Sequence, residues 1–369
     1  MNAQATAPAD PASAVAGITS AWQRARINAV SNVVVVMMRK GGAGKTSVTL
    51  LTADALARVG LNVLVVDMDP QGNASLGLNK SVNLVEAGRS RIGHQTLFAP
   101  DKVTVCEVIE SGQDGVADEA ITIVDWGYDP QEPFDRGGPL FPGRVGTIGV
   151  IPCYEALEGQ VQTWKPADLE RLASALLLSA GNGMPPPNHR WDVVLIDTPP
   201  GGSLISVQAA MAAYWALFTV PPEAFGADAV PKTMALLDEI RSRYPHSHVD
   251  ILGMVVNNVV GGQRLTQANV MAQLAEGQAS GQTLRRAPLW PVSIPALGVV
   301  KDSQIAGAPV SAFLADSGTR QAARRVCQAA EATAIRLLYG INHPLAAEID
   351  AAWAAAWPLG SRPDFLTEA

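Results

Sequence analysis

Cysteine is scarce in this chain, aromatic side chains are few, and no apolar run is long enough to cross a bilayer. The three cysteines, Cys106, Cys153 and Cys327, stand far apart with no CxxC pair. That spacing excludes a disulfide framework and a paired-cysteine zinc site, and it suits a reducing compartment. Aromatics make up 5% of the chain against 48% hydrophobic residues in all. A core rich in Ala, Val and Leu favours strands packed on small-residue helices over an all-β sandwich. The net charge of −7, from 27 basic and 34 acidic residues, excludes a globally basic nucleic-acid protein. A local basic patch stays compatible with that sum. No apolar stretch reaches the ~18 to 20 residues of a membrane span. The N-terminus also lacks the basic start and apolar stretch of a signal peptide. A cytoplasmic protein is expected.

Five short runs are almost wholly apolar: 31–38 (SNVVVVMM), 61–69 (LNVLVVDMD), 191–197 (WDVVLID), 213–220 (AYWALFTV) and 250–259 (DILGMVVNNV). They do not alternate apolar with polar, as a half-exposed strand does, so they read as strands buried on both faces of a parallel sheet. Helical stretches fall between them, including 46–59 and 228–243, which gives the rhythm of repeated βαβ units. The expected fold is α/β, a doubly wound, mostly parallel sheet with helices on both faces. Residues 1–30 read as a flexible extension with a possible short helix over 21–30. Residues 31–340 form the main domain, and 341–369 a C-terminal helix (344–357) and tail. Residues 80–148 are rich in Gly, Pro and Asp and read as an insertion of loops and short elements at the sheet's edge. Residues 181–188 read as a loop.

The strand at 31–38 runs into RKGGAGKTS and then into a helix. Small residues let backbone amides close around phosphate oxygens, and the helix N-terminus adds its positive end. In such a loop Gly41, Gly42, Ala43, Gly44 and Ser47 line the phosphates. Lys45 reaches their β- and γ-oxygens, and the Thr46 hydroxyl is placed to ligate Mg²⁺. Asp67 and Asp69 close the second run, where a carboxylate faces the ligand crevice of an open α/β sheet. Asp69 is placed to orient a nucleophile for phosphoryl transfer, while Asp67 either supports the Mg²⁺ shell or caps the strand. Asp197 closes the third run as a second carboxylate for Mg²⁺, followed by a TPPGG loop that can change conformation with the γ-phosphate.

The loop departs from the common P-loop, with Arg39 where the first Gly usually stands and Lys40 after it. KGGAGKT, together with DMDPQGNAS (67–75), resembles the deviant Walker A ATPases of the ParA/MinD/nitrogenase-iron-protein class, and the ParA proteins in particular. IPCYEALEG (151–159), VPPEAFGADAV (220–230, with Phe225 and Gly226), GMVVNNVVGGQR (253–264) and SIPALGVVKDSQIAGAPV (293–310) extend the likeness over roughly 31–80 and 149–340. The resemblance implies a slow, Mg²⁺-dependent ATPase whose cofactors are ATP and Mg²⁺. It makes Lys40 a lysine that crosses to a partner's nucleotide in an ATP sandwich dimer, assigns catalysis to Asp69, and puts Asn257 and Pro295 against adenine.

The cysteines do not sit where an iron–sulfur cluster would need them. The C-terminal helix carries Trp353 and Trp357 without the basic residues of a membrane-docking tail, so no membrane partner is expected, and the tryptophans read as packing on the domain or a partner. The ParA branch implies non-specific DNA binding in the ATP state, here through Arg320, Arg324 and Arg325, with Arg264, Arg285, Arg286 and Lys301 as contributors. It further implies a ParB-like partner, possible filaments, nucleoid association, and segregation of a plasmid, chromosome or other cargo. One departure bears on DNA: IPALGV stands where the family often has IPRNVR. Two other readings are a P-loop ligase of the dethiobiotin-synthetase or cobyrinic-acid-synthase type, and a nucleotide-binding scaffold without turnover.

Overall fold

A computed structural model describes residues 32–89, 96–111, 116–177, 190–222, 229–244, 247–260, 272 and 286–357. The expected N-terminal extension, the 181–188 loop, Phe225, Gly226, Arg264, Arg285 and the tail beyond 357 lie outside these residues. The eight strands of the main sheet stand in the order β10-β9-β8-β1-β7-β2-β6-β5. They are β1 (Val33–Met37), β2 (Val63–Asp67), β5 (Thr122–Val124), β6 (Ile148–Ile151), β7 (Val193–Asp197), β8 (Trp215–Val220), β9 (Asp250–Val259) and β10 (Leu289–Pro295). All pairings are parallel except that of β5 with β6. A hairpin of β3 (Leu84–Arg89) and β4 (Thr96–Pro100) makes a separate two-stranded sheet.

The absence of in/out alternation in the apolar runs has a direct structural cause. Val33, Val35 and Met37 of β1 enter one hydrophobic cluster and Val34 and Val36 enter the other, because successive side chains leave a strand on opposite faces. Both faces are covered by helices, so both sets must be apolar. On one face lie α1 (Lys45–Arg58) and α10 (Arg320–Gly340), while α7 (Leu204–Ala212) and α8 (Ala229–Arg243) cover the other. β1 is the pivot of the winding: β7 and β8 flank it, and β2 lies beyond β7. The C-terminal ends of β1, β7 and β2 are therefore side by side, at the crevice where open α/β sheets bind ligands.

One boundary differs from the expectation. The 80–148 segment is not confined to the sheet's edge. Its hairpin and β5 are peripheral, but α3 (Val105–Ser111) and α4 (Val116–Ala120) send Val105, Cys106, Val108, Ile109, Ala117 and Ala120 into the core. The stretch after β5 wraps the far end of α1: Tyr128 donates to Asp54 (2.8 Å), and Leu140 N–H to the Arg58 carbonyl (2.8 Å). At the C-terminus the tryptophans take one of the two placements expected for them, on the domain itself. α11 (Ala346–Ala356) packs on α10, and Trp353 and Trp357 are buried in the α1-side cluster.

Candidate nucleotide site

Register explains how three distant carboxylates meet. Asp197 is paired laterally with Val36 of β1 on one side and with Asp67 of β2 on the other. The loop after β1 is thereby set directly above Asp197. Two of its glycines are left-handed, Gly42 (φ 72°) and Gly44 (φ 75°), a conformation that side chains with a Cβ resist. Gly44 is doubly constrained, because a Cβ there would collide with the Asn257 amide. It caps α1, so Lys45 opens the helix directly and lies buried at its first turn.

Thr46 donates its hydroxyl proton to Asp197 Oδ2 (2.6 Å), and Thr49 reaches Oδ1 of the same carboxylate at 3.3 Å. Asp197 is fully buried, and burial together with the Asp67 charge pushes its carboxyl up to about 8. Burial likewise raises Asp67 to about 6, and it lowers Lys45 against the opposing pull of Asp197 and Asp69. Charged groups stripped of water without enough counter-charge behave in this way. A hydroxyl and a carboxylate 2.6 Å apart beside a phosphate-type loop are hard oxygen donors of the kind Mg²⁺ takes. The residues present therefore fit that ion, and Thr46 and Asp197 are the ones that would hold it.

Asp67 and Asp69 divide the work of their turn. Asp67 Oδ1 accepts the Asp69 N–H (3.0 Å), and Oδ2 accepts the Ser75 N–H (2.8 Å) and hydroxyl (2.7 Å). Both oxygens are thus spent on shaping the loop, which matches the strand-capping alternative more closely than a place in a metal shell. Asp69 accepts one backbone bond, from Gln71 (3.0 Å), and borders a cavity of about 580 Å³ that is also lined by Gly42, Gly44, Lys45, Thr46, Ser47 and Pro200. Beyond Asp197, the Gly201 N–H donates to the Arg39 carbonyl (3.0 Å), tying the TPPGG loop to the loop after β1.

A second cavity of about 220 Å³ adjoins the first and is bordered by Asn257, Asn258, Pro295 and Leu297. Asn257 does more than line it. Its amide donates to the Ala43 carbonyl (3.3 Å), and the side chain is buried under the phosphate-type loop. Sequence reasoning missed the wall between the two cavities. Lys301 and Gln304, on α9 (Gly298–Ala306), border both, and Gln304 donates to the Ser47 hydroxyl (3.0 Å). Lys301, expected as a DNA contributor, belongs to this cleft. Its signal was the Lys–x–x–Gln spacing of about one helical turn that begins six residues after Pro295.

The basic residues nominated for DNA are mostly engaged within the molecule. Arg320 donates to the Leu314 (2.8 Å) and Ala315 (2.9 Å) carbonyls, and Arg324 lies 4.7 Å from the Trp357 ring centroid. Arg286 pairs with Asp238 at 2.5 Å. Arg325 is exposed on α10. Lys40 is also exposed, with no ion pair among the described residues.

A buried strand, a left-handed glycine loop, a buried lysine opening a helix and a Thr–Asp pair beneath it define a P-loop nucleoside triphosphatase. The profile of the family described as the CobQ/CobB/MinD/ParA nucleotide binding domain matches residues 34–305. The chain belongs to that family and is an ATPase of its ParA/MinD type. Among similar proteins is the chromosome-partitioning ATPase Soj of Thermus thermophilus, 27% identical over 65% of this chain and 74% of its own length. The chromosome partitioning protein ParA of Caulobacter vibrioides is 27% identical over 61% of this chain and 68% of its own. Similar folds are found in apo McdA of Cyanothece (TM-score 0.55, 17% identity, 85% of this chain and 99% of that one). The cell division ATPase MinD of Pyrococcus furiosus shares the fold as well (TM-score 0.52, 21% identity, 84% and 99%).

Proposed function

We propose that the chain is a partition- or positioning-type switch, in which ATP joins two copies face to face and slow hydrolysis releases them. The observation that carries this reading is the contrast between two lysines five residues apart. Lys45 is buried against Asp197 and Asp69 in its own site, whereas Lys40 is exposed beside the same loop with no ion pair among the described residues. A second lysine with no work in its own subunit suits a phosphate in another.

In this reading Lys45 and the loop amides of Gly42, Ala43 and Gly44 neutralise the β- and γ-phosphates. Thr46 and Asp197 hold Mg²⁺, which when bound screens phosphate charge. Asp69 orients the attacking water from the cavity wall, and the purine occupies the cleft between Asn257 and Pro295. The Arg39–Gly201 bond then lets the γ-phosphate reset the TPPGG loop. DNA is held by charge alone, with Arg325 as the exposed contributor on α10, and a ParB-like partner accelerates the reset. The relatives named for chromosome partitioning support this output.

Light scattering on size-exclusion eluates of wild type and Lys40→Ala, with ATP or ADP and with duplex DNA, tests the reading. Wild type should double its mass and co-elute with DNA only with ATP, while Lys40→Ala stays monomeric. If ATP leaves the mass and DNA affinity of wild type unchanged, the sandwich mechanism is wrong. ATP consumption that depended on an added carboxylic acid and ammonia donor would then indicate a ligase.

A further inference from the structure

The nucleotide cleft has a partition that neither the glycine loop nor the carboxylates supply. Ser47 on α1, and Lys301 and Gln304 on α9, border both the cavity of about 580 Å³ and the adjoining one of about 220 Å³. α9 is a fixed wall. Val299 and Ser303, four positions apart on one face, are buried, and Val299 joins the α1-side cluster. Just before the helix the Ala296 N–H donates to the Val259 carbonyl (2.9 Å), and just after it the Gly307 carbonyl accepts the Trp126 indole N–H (3.1 Å). Lys301 and Gln304, three positions apart, share the face turned to the cleft. Gln304 Nε2 donates to Ser47 Oγ (3.0 Å), which engages that oxygen as an acceptor and leaves its own proton to donate. Lys301 is exposed and makes no ion pair among the described residues.

On the reading that the purine lies between Asn257 and Pro295, we propose that Lys301 and the Ser47 hydroxyl hold the α-phosphate, with Gln304 as the positioning residue that aims Ser47. A nucleotide with its base in the smaller cavity and its β- and γ-phosphates against Lys45 in the larger one has to cross this partition. The part of it that does so is the ribose with the α-phosphate. An ammonium and a hydroxyl whose donor direction is already set both complement a phosphate oxygen, and charge-assisted bonds of this kind are the stronger ones. The α-phosphate is common to ATP, ADP and AMP. Lys301 and Ser47 therefore grip the nucleotide whether or not the γ-phosphate is present. That leaves Lys45 and Asp69, in the larger cavity, to distinguish ATP from ADP.

The experiment is titration calorimetry on the full chain with ATP and ADP, with AMP and adenosine read by competition against ADP. Lys301→Ala should weaken ATP, ADP and AMP by one common factor of about ten and leave adenosine within about two-fold. Lys301→Arg should recover most of the loss. Gln304→Ala should cost about three-fold in wild type and nothing further in a Ser47→Ala background, because a residue that acts through Ser47 then has nothing left to aim. A loss confined to ATP, or to ATP and ADP, puts Lys301 on the γ- or β-phosphate and overturns the assignment. An equal loss for adenosine makes the lysine structural, and unchanged affinities remove it from the site. A full Gln304→Ala loss in the Ser47→Ala background overturns the positioning role. If wild type binds no nucleotide, the nucleotide site itself is wrong; if wild type binds and Lys301→Ala binds equally well, only the α-phosphate assignment fails.

Discussion

Helix α1 carries a cluster of buried charge at each end, and the two clusters are built on opposite principles. At its N-terminus Lys45 shares a buried space with Asp197, Asp67 and Asp69, three carboxylates to one cation beside an open cavity of about 580 Å³. At its C-terminus Arg58 meets Glu331 at 2.6 Å with both side chains 1% exposed, and every side-chain nitrogen and oxygen of the pair has a partner. Arg58 also donates to the Gly138 and Phe134 carbonyls and lies 4.2 Å from the Phe134 ring centroid. The second Glu331 oxygen accepts both indole N–H groups, from Trp353 (2.7 Å) and Trp357 (2.8 Å). One turn nearer the site, Asp54 is saturated by Tyr128 and Ser311. Burial of charge does not by itself mark a functional site. The mark is charge left unbalanced next to space that a ligand can fill.

The comparison breaks most visibly at Glu331. Replacing it with Ala leaves Arg58 buried without a counter-charge, and losing one partner of such a pair costs about 3 to 5 kcal/mol. Chemical denaturation should show that loss, whereas ATP affinity of the folded fraction stays within about two-fold of wild type, about 0.4 kcal/mol. A double replacement, Arg58→Met with Glu331→Leu, should recover most of the lost stability, because an apolar pair of similar volume needs no counter-charge. If Glu331→Ala unfolds no more readily than wild type, the saturated cluster is not what holds α11 to α1.

The mirror-image result is expected at the other end. Lys45→Ala removes the buried cation at the first turn of α1 that is expected to face the phosphates. ATP affinity should fall by about 100-fold, which is about 2.7 kcal/mol, when read by a fluorescent nucleotide analogue. Its midpoint of unfolding without nucleotide should stay within about 3 °C of wild type, since the lysine's burial is opposed by its own desolvation. A large stability loss on this substitution would mean the site is as structural as the Glu331 cluster.

The unbalanced carboxylates also give the site a pH dependence with a definite sign. Asp197 stands at about 8 and Asp67 at about 6 in the folded protein, against an ordinary value of 3.8. A raised folded value means the contribution to stability is full below the ordinary value and is lost as pH rises through about 8. The midpoint of unfolding of the nucleotide-free protein should therefore drop between about pH 4 and 8, and drop less with Mg·ATP bound. Holding the ion requires ionised Asp197, so Mg·ATP affinity should rise up to ten-fold per pH unit below about 8. Calorimetry in buffers of different ionisation enthalpy should detect proton release on binding near pH 7, and Asp197→Asn should abolish it.

The same contrast separates what could be read from the sequence from what could not. The nucleotide end of α1 is local: β1, the glycine loop and the helix are contiguous, and Asp69 and Asp197 each close an apolar run whose continuity marks a strand buried on both faces. The sequence also carried the doubly wound sheet, since the five longest runs all became strands. The other end of α1 is assembled from Arg58, Phe134, Glu331 and Trp357, and the Arg58–Glu331 partners are 273 positions apart. No periodicity announces such a pairing, and the Gly and Pro content of 126–144 disguises a segment that buries polar contacts. β5 has three residues and β6 four, too few to show a pattern. Asn257 was read as a base-edge contact because its type and position suit that role, while its hold on Ala43 depends on a loop more than 200 residues away.

The smallest effect is the finest test of saturation. Trp357→Phe keeps a ring against Phe134, whose centroid lies 5.6 Å away, and beneath Arg324. It removes one of two indole donors from Glu331 Oε2 while Trp353 remains at 2.7 Å. An acceptor that keeps a partner loses only the net value of one charge-assisted bond, so the cost should be about 1.5 to 3 kcal/mol and at the lower end of that range. Trp353→Phe should cost a similar amount. The double variant should cost more than the sum, because only then does the Oε2 side of a buried carboxylate go without a donor. Strict additivity of the two would show that Glu331 is held by Arg58 alone, and that the tryptophans anchor α11 by packing, with no help from their N–H groups.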